Sequence, residues 1–501
     1  MSVGRDTVQS MGRLSKSRYQ IGLQCRRALW RQVHARNTAD PVTERQQWIF
    51  DQGHEVGELA QGLFPGGTEV TEGPFDGDRA LRTTLGLIAG GVETLYEPAF
   101  EYAGVLVRVD ILVRVAEGEW DLYEVKSSGS VKDQHITDAA VQTYVVEGAG
   151  LSVRRTHVVH LNTGYVYQGG EHDPTRLFLA VDVTDPVRDY LPQVDPQLRE
   201  LHEMLAGPEP DMRIGGQCTS PYRCSFYGYC HDFLPDALPV TDLPRISADL
   251  LERLLEAGIH SIAEIPLDTD GLQPRQRDIV EAVAGGEPRI DSPGLAAALS
   301  SLDWPVYHLD FETVAPAVPL WKGTRPYEAV PFQYSIHVHH REGSHEHREF
   351  LHTDPGDPRQ PLAESMLFDL EQSGSIIHYS PYERRIIDAL TTRLPGQSEA
   401  LARVRGRLFD LEPVIRRHTA HPMAGGRTSI KNVLPAWCPD MSYEGMAIAD
   451  GQTASARYLK ALRGLISEQE SEAVYRELRE YCALDTYAMA RLLDELMRRS
   501  S

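Results

Sequence analysis

Two widely separated segments place carboxylates inside β-branched, strand-forming runs, and a chain that does this twice has to accommodate acids within its sheets. The first, Val105-Leu-Val-Arg-Val-Asp-Ile-Leu-Val-Arg-Val115, is followed by a turn at 116–119 and a returning strand, Trp120-Asp-Leu-Tyr-Glu-Val125. The second is Val306-Tyr-His-Leu-Asp-Phe-Glu-Thr313. Helical patterns lie around them. Ile49, Val56, Leu59, Ala60 and Leu63 make one stripe over 45–64, stopped by Pro65-Gly66-Gly67, and further helices are predicted at 136–146 and 475–497. Strands alternating with helices predict an α/β chain. With 501 residues it exceeds one ordinary core, and the expected division is 1–235, a helical connector at 236–298, and 299–501.

Burying a carboxylate among valines and isoleucines is costly unless it is paired or metal-bound. Asp110 sits between Val109 and Ile111, and Glu124 and Lys126, two apart on the returning strand, point to one face. Two carboxylates and an ammonium can thus converge on Mg²⁺ or Mn²⁺, with the lysine orienting or helping to deprotonate a water. Asp310 and Glu312 likewise share a face, and Tyr481 and Asp485 share one side of a helix at i and i+4. Between them, His378-Tyr-Ser-Pro-Tyr-Glu383 puts an acid at the start of another helix.

Cysteines make a third grouping. Cys218, Cys224 and Cys230 cluster, and Cys25 can join them as a set of four thiolates suited to zinc or an iron–sulfur cluster, clasping the two ends of the first domain together. Cys438 and Cys482 read as ordinary core or surface residues. In the connector, Ala257-Gly-Ile-His-Ser-Ile262 reads either as a helix-hairpin-helix turn or as a plain helical linker.

Asp110 with Glu124-x-Lys126 resembles the PD-(D/E)XK nuclease superfamily. Gln142 and Tyr144 resemble the Gln-x-x-x-Tyr-type element of its RecB branch, here with the two residues only two apart. The resemblance implies that Asp110 and Glu124 hold metal and that Lys126 and Gln142 assist catalysis. It also implies a further ligand from Gly53-His-Glu-Val-Gly57, where helix geometry favours Glu55 and side-chain likeness favours His54. One early and three late cysteines are similar to the pattern in AddB-type helicase-nucleases and the CRISPR-adaptation nucleases of the RecB family. That implies a [4Fe–4S] cluster on Cys25, Cys218, Cys224 and Cys230, with Zn²⁺ as the alternative; both gaps in this trio are five residues, where those families have a short first gap.

The order Asp310-x-Glu312, a middle acid, then Tyr481-x3-Asp485 resembles the DEDD exonucleases of the DnaQ-like, ribonuclease-H-like fold. It implies two Mg²⁺ or Mn²⁺ ions on Asp310, Glu312 and Asp485, with Tyr481 positioning the nucleophile. Glu383 stands where the middle motif normally has aspartate, and Asp410 ranks behind it; Lys431 is placed to meet phosphate. The whole order is similar to a bacterial family of two-nuclease proteins, a likeness that extends to Gly22-Leu-Gln-Cys-Arg-Arg-Ala-Leu-Trp30 and Pro331-Phe-Gln-Tyr-Ser-Ile-His337. It implies a metal-dependent DNA nuclease working on ends or single strands in repair, recombination or defence against foreign DNA. An RNA exonuclease and a non-catalytic nucleic-acid-binding adaptor are the alternatives. The sequence shows no Walker A motif, so unwinding would fall to a helicase partner.

Charge and composition narrow the partners. Fifty Lys and Arg against 72 Asp and Glu leave −22, which argues against a surface coated with positive charge for nucleic acid. Within 1–40, however, eight basic residues face two acidic ones, a local +6. Hydrophobic residues at 41% and charged at 24% exclude wholesale disorder, and no apolar run reaches membrane-spanning length. The polar start predicts no secretory leader and a cytoplasmic location.

Overall fold

The computed structural model describes residues 13–73, 76–448 and 450–500; Arg5, part of the basic N-terminal stretch, lies outside them. The chain is mixed α/β and forms two compact units. The first comprises the described residues up to Asp232 together with Pro316–Tyr327, and the second begins at Phe233 and takes the remainder. Residues 236–298 therefore group with the second unit, while the excursion at 316–327 belongs to the first.

The first unit opens with β1 (Leu14–Ser15), α1 (Lys16–Gln24), α2 (Arg26–His34) and α3 (Glu44–Gln61), the last started by a capping box between Thr43 and Gln46. Strands β2 (Thr68–Glu69), β3 (Thr94–Tyr96), β4 (Ala99–Tyr102), β5 (Val105–Arg108), β6 (Ile111–Ala116) and β7 (Glu119–Lys126) follow. After them come α4 (Asp133–Gly148), β8 (Ser152–Leu161), β9 (Phe178–Asp182) and α5 (Thr184–Ala206). One sheet has the order β2-β3-β6-β7-β8-β9, the other β1-β5-β4. Ala139, Ala140, Val141, Val145 and Val146 bury α4 on several sides, in one core with Trp120, Leu122 and Val158.

The single strand expected over 105–115 is in fact two. The chain leaves one sheet after Arg108 and enters the other at Ile111, with Asp110 at the bend. The cause is local: the Asp110 carboxylate accepts a 2.6 Å hydrogen bond from the Val125 N–H, and a side chain competing for backbone donors interrupts the regular ladder.

The second unit begins with α6 (Ala248–Glu256) and α7 (Pro274–Gly285). At the turn between them Gly258 has φ +74°, which glycine adopts readily. The N–H groups of His260 and Ser261 donate to Glu264, at 2.8 and 3.0 Å, so in this arrangement they cap a short helical turn rather than face a phosphate.

β10 (Arg289–Ile290), β11 (Val306–Val314), β12 (Val330–His339), β13 (His345–Leu351), β14 (Ile376–His378), α8 (Pro381–Arg393), β15 (Leu408–Asp410), β16 (Thr419–Ala420), α9 (Ile430–Trp437), α10 (Gly451–Leu462) and α11 (Glu468–Ser500) follow. The main sheet has the order β13-β12-β11-β14-β15, antiparallel across its first three strands and parallel across the last three. Tyr307, Leu309 and Phe311 on β11 join a core with Leu362, Met366 and Ile387, which leaves His308, Asp310 and Glu312 on the other face. That face meets α11: Gln333 donates to the Leu478 carbonyl at 2.9 Å, and Ser335 pairs with Thr486 at 2.7 Å. Ser467 and Glu470 cap α11 reciprocally, so it starts earlier than the expected 475. Among the described residues no helix is long and apolar enough to cross a membrane.

Candidate functional site

In the first unit, alternation along β7 brings Glu124 and Lys126 to one face, and i, i+4 spacing on α4 points Asp138 and Gln142 at them. Lys126 Nζ lies 2.6 Å from Glu124 and also pairs with Asp138, and Gln142 Nε2 donates to the other Glu124 oxygen at 2.5 Å. Lys16, from the start of α1, donates to Glu124 at 2.8 Å. Asp110 completes the group. Burial opposes the charge on Glu124, yet Lys126 and Lys16 hold its carboxyl well below the ordinary range. Burial and the neighbouring Glu124 push Asp110 the other way.

Sequence reasoning thus found Asp110, Glu124, Lys126 and Gln142 but missed Lys16 and Asp138. Asp138 had a signal, an acid four residues before Gln142 on a buried helix; Lys16, 108 residues from Glu124, had none. Of the two upstream candidates on α3, His54 is exposed and Glu55, half-buried, acts electrostatically on His172. Tyr144 turns away to hydrogen-bond Asp195 at 2.9 Å.

Because Glu124 is 1% exposed, Lys16→Ala is expected to destabilise the metal-free protein by about 3 kcal/mol, the low end for breaking a buried ion pair since Lys126 remains. Equilibrium denaturation checks this; an unchanged midpoint would contradict the pairing.

Cys25, Cys218, Cys224 and Cys230 line one small pocket with Phe226 and Tyr227. The clasp around it is dense. Gln24 donates to the carbonyls of Gln217 and Tyr222 at 2.7 Å each, the Trp30 indole to Gly207 at 3.0 Å, and the Asp40 N–H to Ser225 at 2.7 Å. Burial pushes the thiol of Cys224 up to about 11 and raises Cys218 and Cys230 as well, so these thiols stay protonated at neutral pH unless a metal displaces the protons. The positive surface expected from the N-terminal arginines is largely neutralised: Arg26 pairs with Glu200, Arg27 and Arg31 with Glu209, and Arg13 with Asp78 and Glu101.

In the second unit, Asp310 and Glu312 from β11, Glu383 from the first turn of α8 and Asp485 from α11 act on one another. Burial first, then the neighbouring carboxylates, pushes Asp310 well up and Glu312 up to about 8. Burial also raises Asp485, to about 6, despite hydrogen bonds that favour its charge. A ladder irregularity between Glu312 and Thr313 lies beside the group, where bulges commonly re-aim side chains. Cys482 Sγ lies 3.6 Å from Asp310, and atoms of Asp310, Glu312 and Cys482 fall within 4.8 Å of one another.

Glu383 is fixed by Ser380 Oγ at 3.1 Å and His378 Nδ1 at 3.4 Å. Asp410, the second choice for the middle acid, instead accepts the Glu412 N–H at 3.2 Å. Lys431 Nζ donates to Tyr481 Oη at 2.9 Å, and Tyr443, which sequence reasoning missed, donates to Asp485 at 2.5 Å. Tyr443 lies in a loop with no motif around it.

A family model described as Domain of unknown function (DUF2779) matches residues 307–429. That span carries Asp310, Glu312 and Glu383 and ends before Tyr481 and Asp485. No curated protein matches the chain.

Proposed function

We propose that the chain is a divalent-metal-dependent DNA nuclease with two hydrolytic phosphodiesterase sites, processing ends or single strands in repair, recombination or defence. In this reading the first unit is a RecB-like PD-(D/E)XK nuclease and the second a DnaQ-like DEDD exonuclease of ribonuclease-H-like fold. The observation that carries it is the meeting of four carboxylates from three separated segments, beside a phenol one helical turn from the last of them. Clustered oxygens that raise one another's pKa suit hard divalent cations, and Asp310, Glu312, Glu383 and Asp485 would hold Mg²⁺ or Mn²⁺. Bound there, the ions supply Lewis acidity for water activation and charge stabilisation at the leaving oxygen.

The chain's own groups do the rest. Lys431 donates to the Tyr481 oxygen and Tyr481 in turn bonds Asp485, so the lysine fixes the phenol beside the acids that would hold metal. Tyr443 holds one oxygen of Asp485 and so fixes its rotamer. In the first unit Asp110 and Glu124 are the oxygen donors, Lys126 orients the water, and Gln142 locks the Glu124 carboxylate. Cys25, Cys218, Cys224 and Cys230, which line one small pocket, would hold a [4Fe–4S] cluster, with Zn²⁺ as the alternative.

Cleavage of end-labelled DNA that requires Mg²⁺ or Mn²⁺, run in competition with matched RNA, tests the reading and its polymer preference. A pH dependence follows too. Raised carboxyl pKa values in the folded state contribute stability fully present below the unfolded values, near ~4, and lost as pH rises toward the folded value of about 8 for Glu312. Bound cations relieve that loss, so Mn²⁺ is expected to raise the melting midpoint more at pH 8 than at pH 6, with the difference reduced in Glu312→Gln. A gain as large at pH 6 would contradict it.

A further inference from the structure

Away from the four acids, the β12–β13 hairpin carries an unusual run of histidines. His339 and His345 stand at paired positions across it, ring centroids 4.3 Å apart, and both turn to Asp494 on α11. His339 Nε2 is 3.3 Å from one carboxylate oxygen and His345 Nε2 3.9 Å from the other. One ligand atom from each of the three lies within 4.8 Å of the others.

A single imidazolium–carboxylate pair does not account for this group. His339 is 2% exposed, and the Nδ1 atoms of both His339 and His345 are buried without a hydrogen-bond partner among the described residues. Each Nδ1 can therefore keep the ring proton while Nε2, turned to Asp494, offers its lone pair to an ion. His308 on β11, fully buried with neither ring nitrogen partnered, lies 5.9 Å from the His339 ring. Polar rings this deeply buried without partners are costly, and a cation among them relieves the cost.

We propose that His339, His345 and Asp494 form a binding site for a borderline transition-metal dication of the Zn²⁺ or Co²⁺ class. Imidazole with carboxylate suits these ions, whereas Mg²⁺ prefers oxygen donors. Three protein ligands leave a fourth position for water. The site is separate from the acid cluster, since Asp494 and Asp485 stand nine residues apart on α11, about 13 Å at ~1.5 Å rise per residue. An ion here ties the hairpin to the helix that carries Tyr481 and Asp485, and its binding does not depend on the nuclease reading.

Titration of the full chain with Co²⁺ alone, followed by calorimetry and visible absorption, tests this in wild type, His345→Gln and Asp494→Asn, with folding checked by circular dichroism. Wild type is expected to bind one more equivalent than either variant. The absorption lost should be of d–d type without thiolate charge transfer, which separates this site from the four cysteines. Asp310→Asn should retain that equivalent. If His345→Gln fails to fold, the near-isosteric Asp494→Asn carries the comparison. Equal stoichiometry and spectra in wild type and the folded variants would overturn the proposal, as would loss of the same equivalent in Asp310→Asn.

Discussion

Asp310→Ala with Asp485→Ala is expected to lower one nuclease activity by roughly 10²–10³-fold or more, the scale seen when preorganised electrostatic stabilisation is removed from a reacting centre. A second activity should persist in that variant and disappear instead in Asp110→Ala with Glu124→Ala. The reason is structural: the two acid sets belong to different compact units with separate cores. Removing like-charged buried acids relieves repulsion but also takes away the partner of the Tyr443 hydroxyl, so the melting midpoint of the second-unit pair is read beside its activity, and a folded variant without activity assigns the loss to the site. The first-unit pair differs. Deleting Glu124 removes the ion-pair partner of Lys16 and one of the two partners of Lys126, so its stability should fall together with its activity. Identical activity losses from the two pairs would contradict independent sites.

The next largest effect is expected at the thiols. Cys224→Ser should bleach the visible absorption of anaerobically purified protein and loosen the clasp between 24–40 and 207–231. Metal–thiolate binding contributes on the order of 10 kcal/mol to small metal-dependent folds. Half of that, about 5 kcal/mol, lowers the midpoint of a unit this size by roughly 10–20 °C. Cys438→Ser, in the core of the second unit, should leave the spectrum unchanged. A colourless wild-type protein with tightly bound zinc would replace the cluster by a mononuclear site; no metal and no change in midpoint would remove the site altogether.

Much of the second-unit group was legible because its spacings are local. Asp310 and Glu312 are two apart on a strand, Tyr481 and Asp485 four apart on a helix, and each interval fixes a shared face. Cysteine carries its signal in residue type, so the set of four needed no register. What stayed hidden depended on distant chain segments. Lys16 meets Glu124 across 108 positions, and Tyr443 reaches Asp485 from an irregular loop. The break at Asp110 was hidden for another reason: a β-branched run reads as one strand, and only the carboxylate's bond to Val125 shows where the chain changes sheets. On α3, helix geometry favoured Glu55 and side-chain likeness favoured His54, and no local spacing weighed one against the other; in the structure Glu55 is half-buried and His54 exposed.

The most direct measurement is hydrolysis of end-labelled single-stranded and duplex DNA by the anaerobically purified full chain, with Mg²⁺, Mn²⁺ or a chelator. Metal-dependent cleavage, abolished by chelation and partitioned between the two pairs of acid substitutions, is the predicted result. No cleavage of any DNA end or single strand with either ion would contradict it.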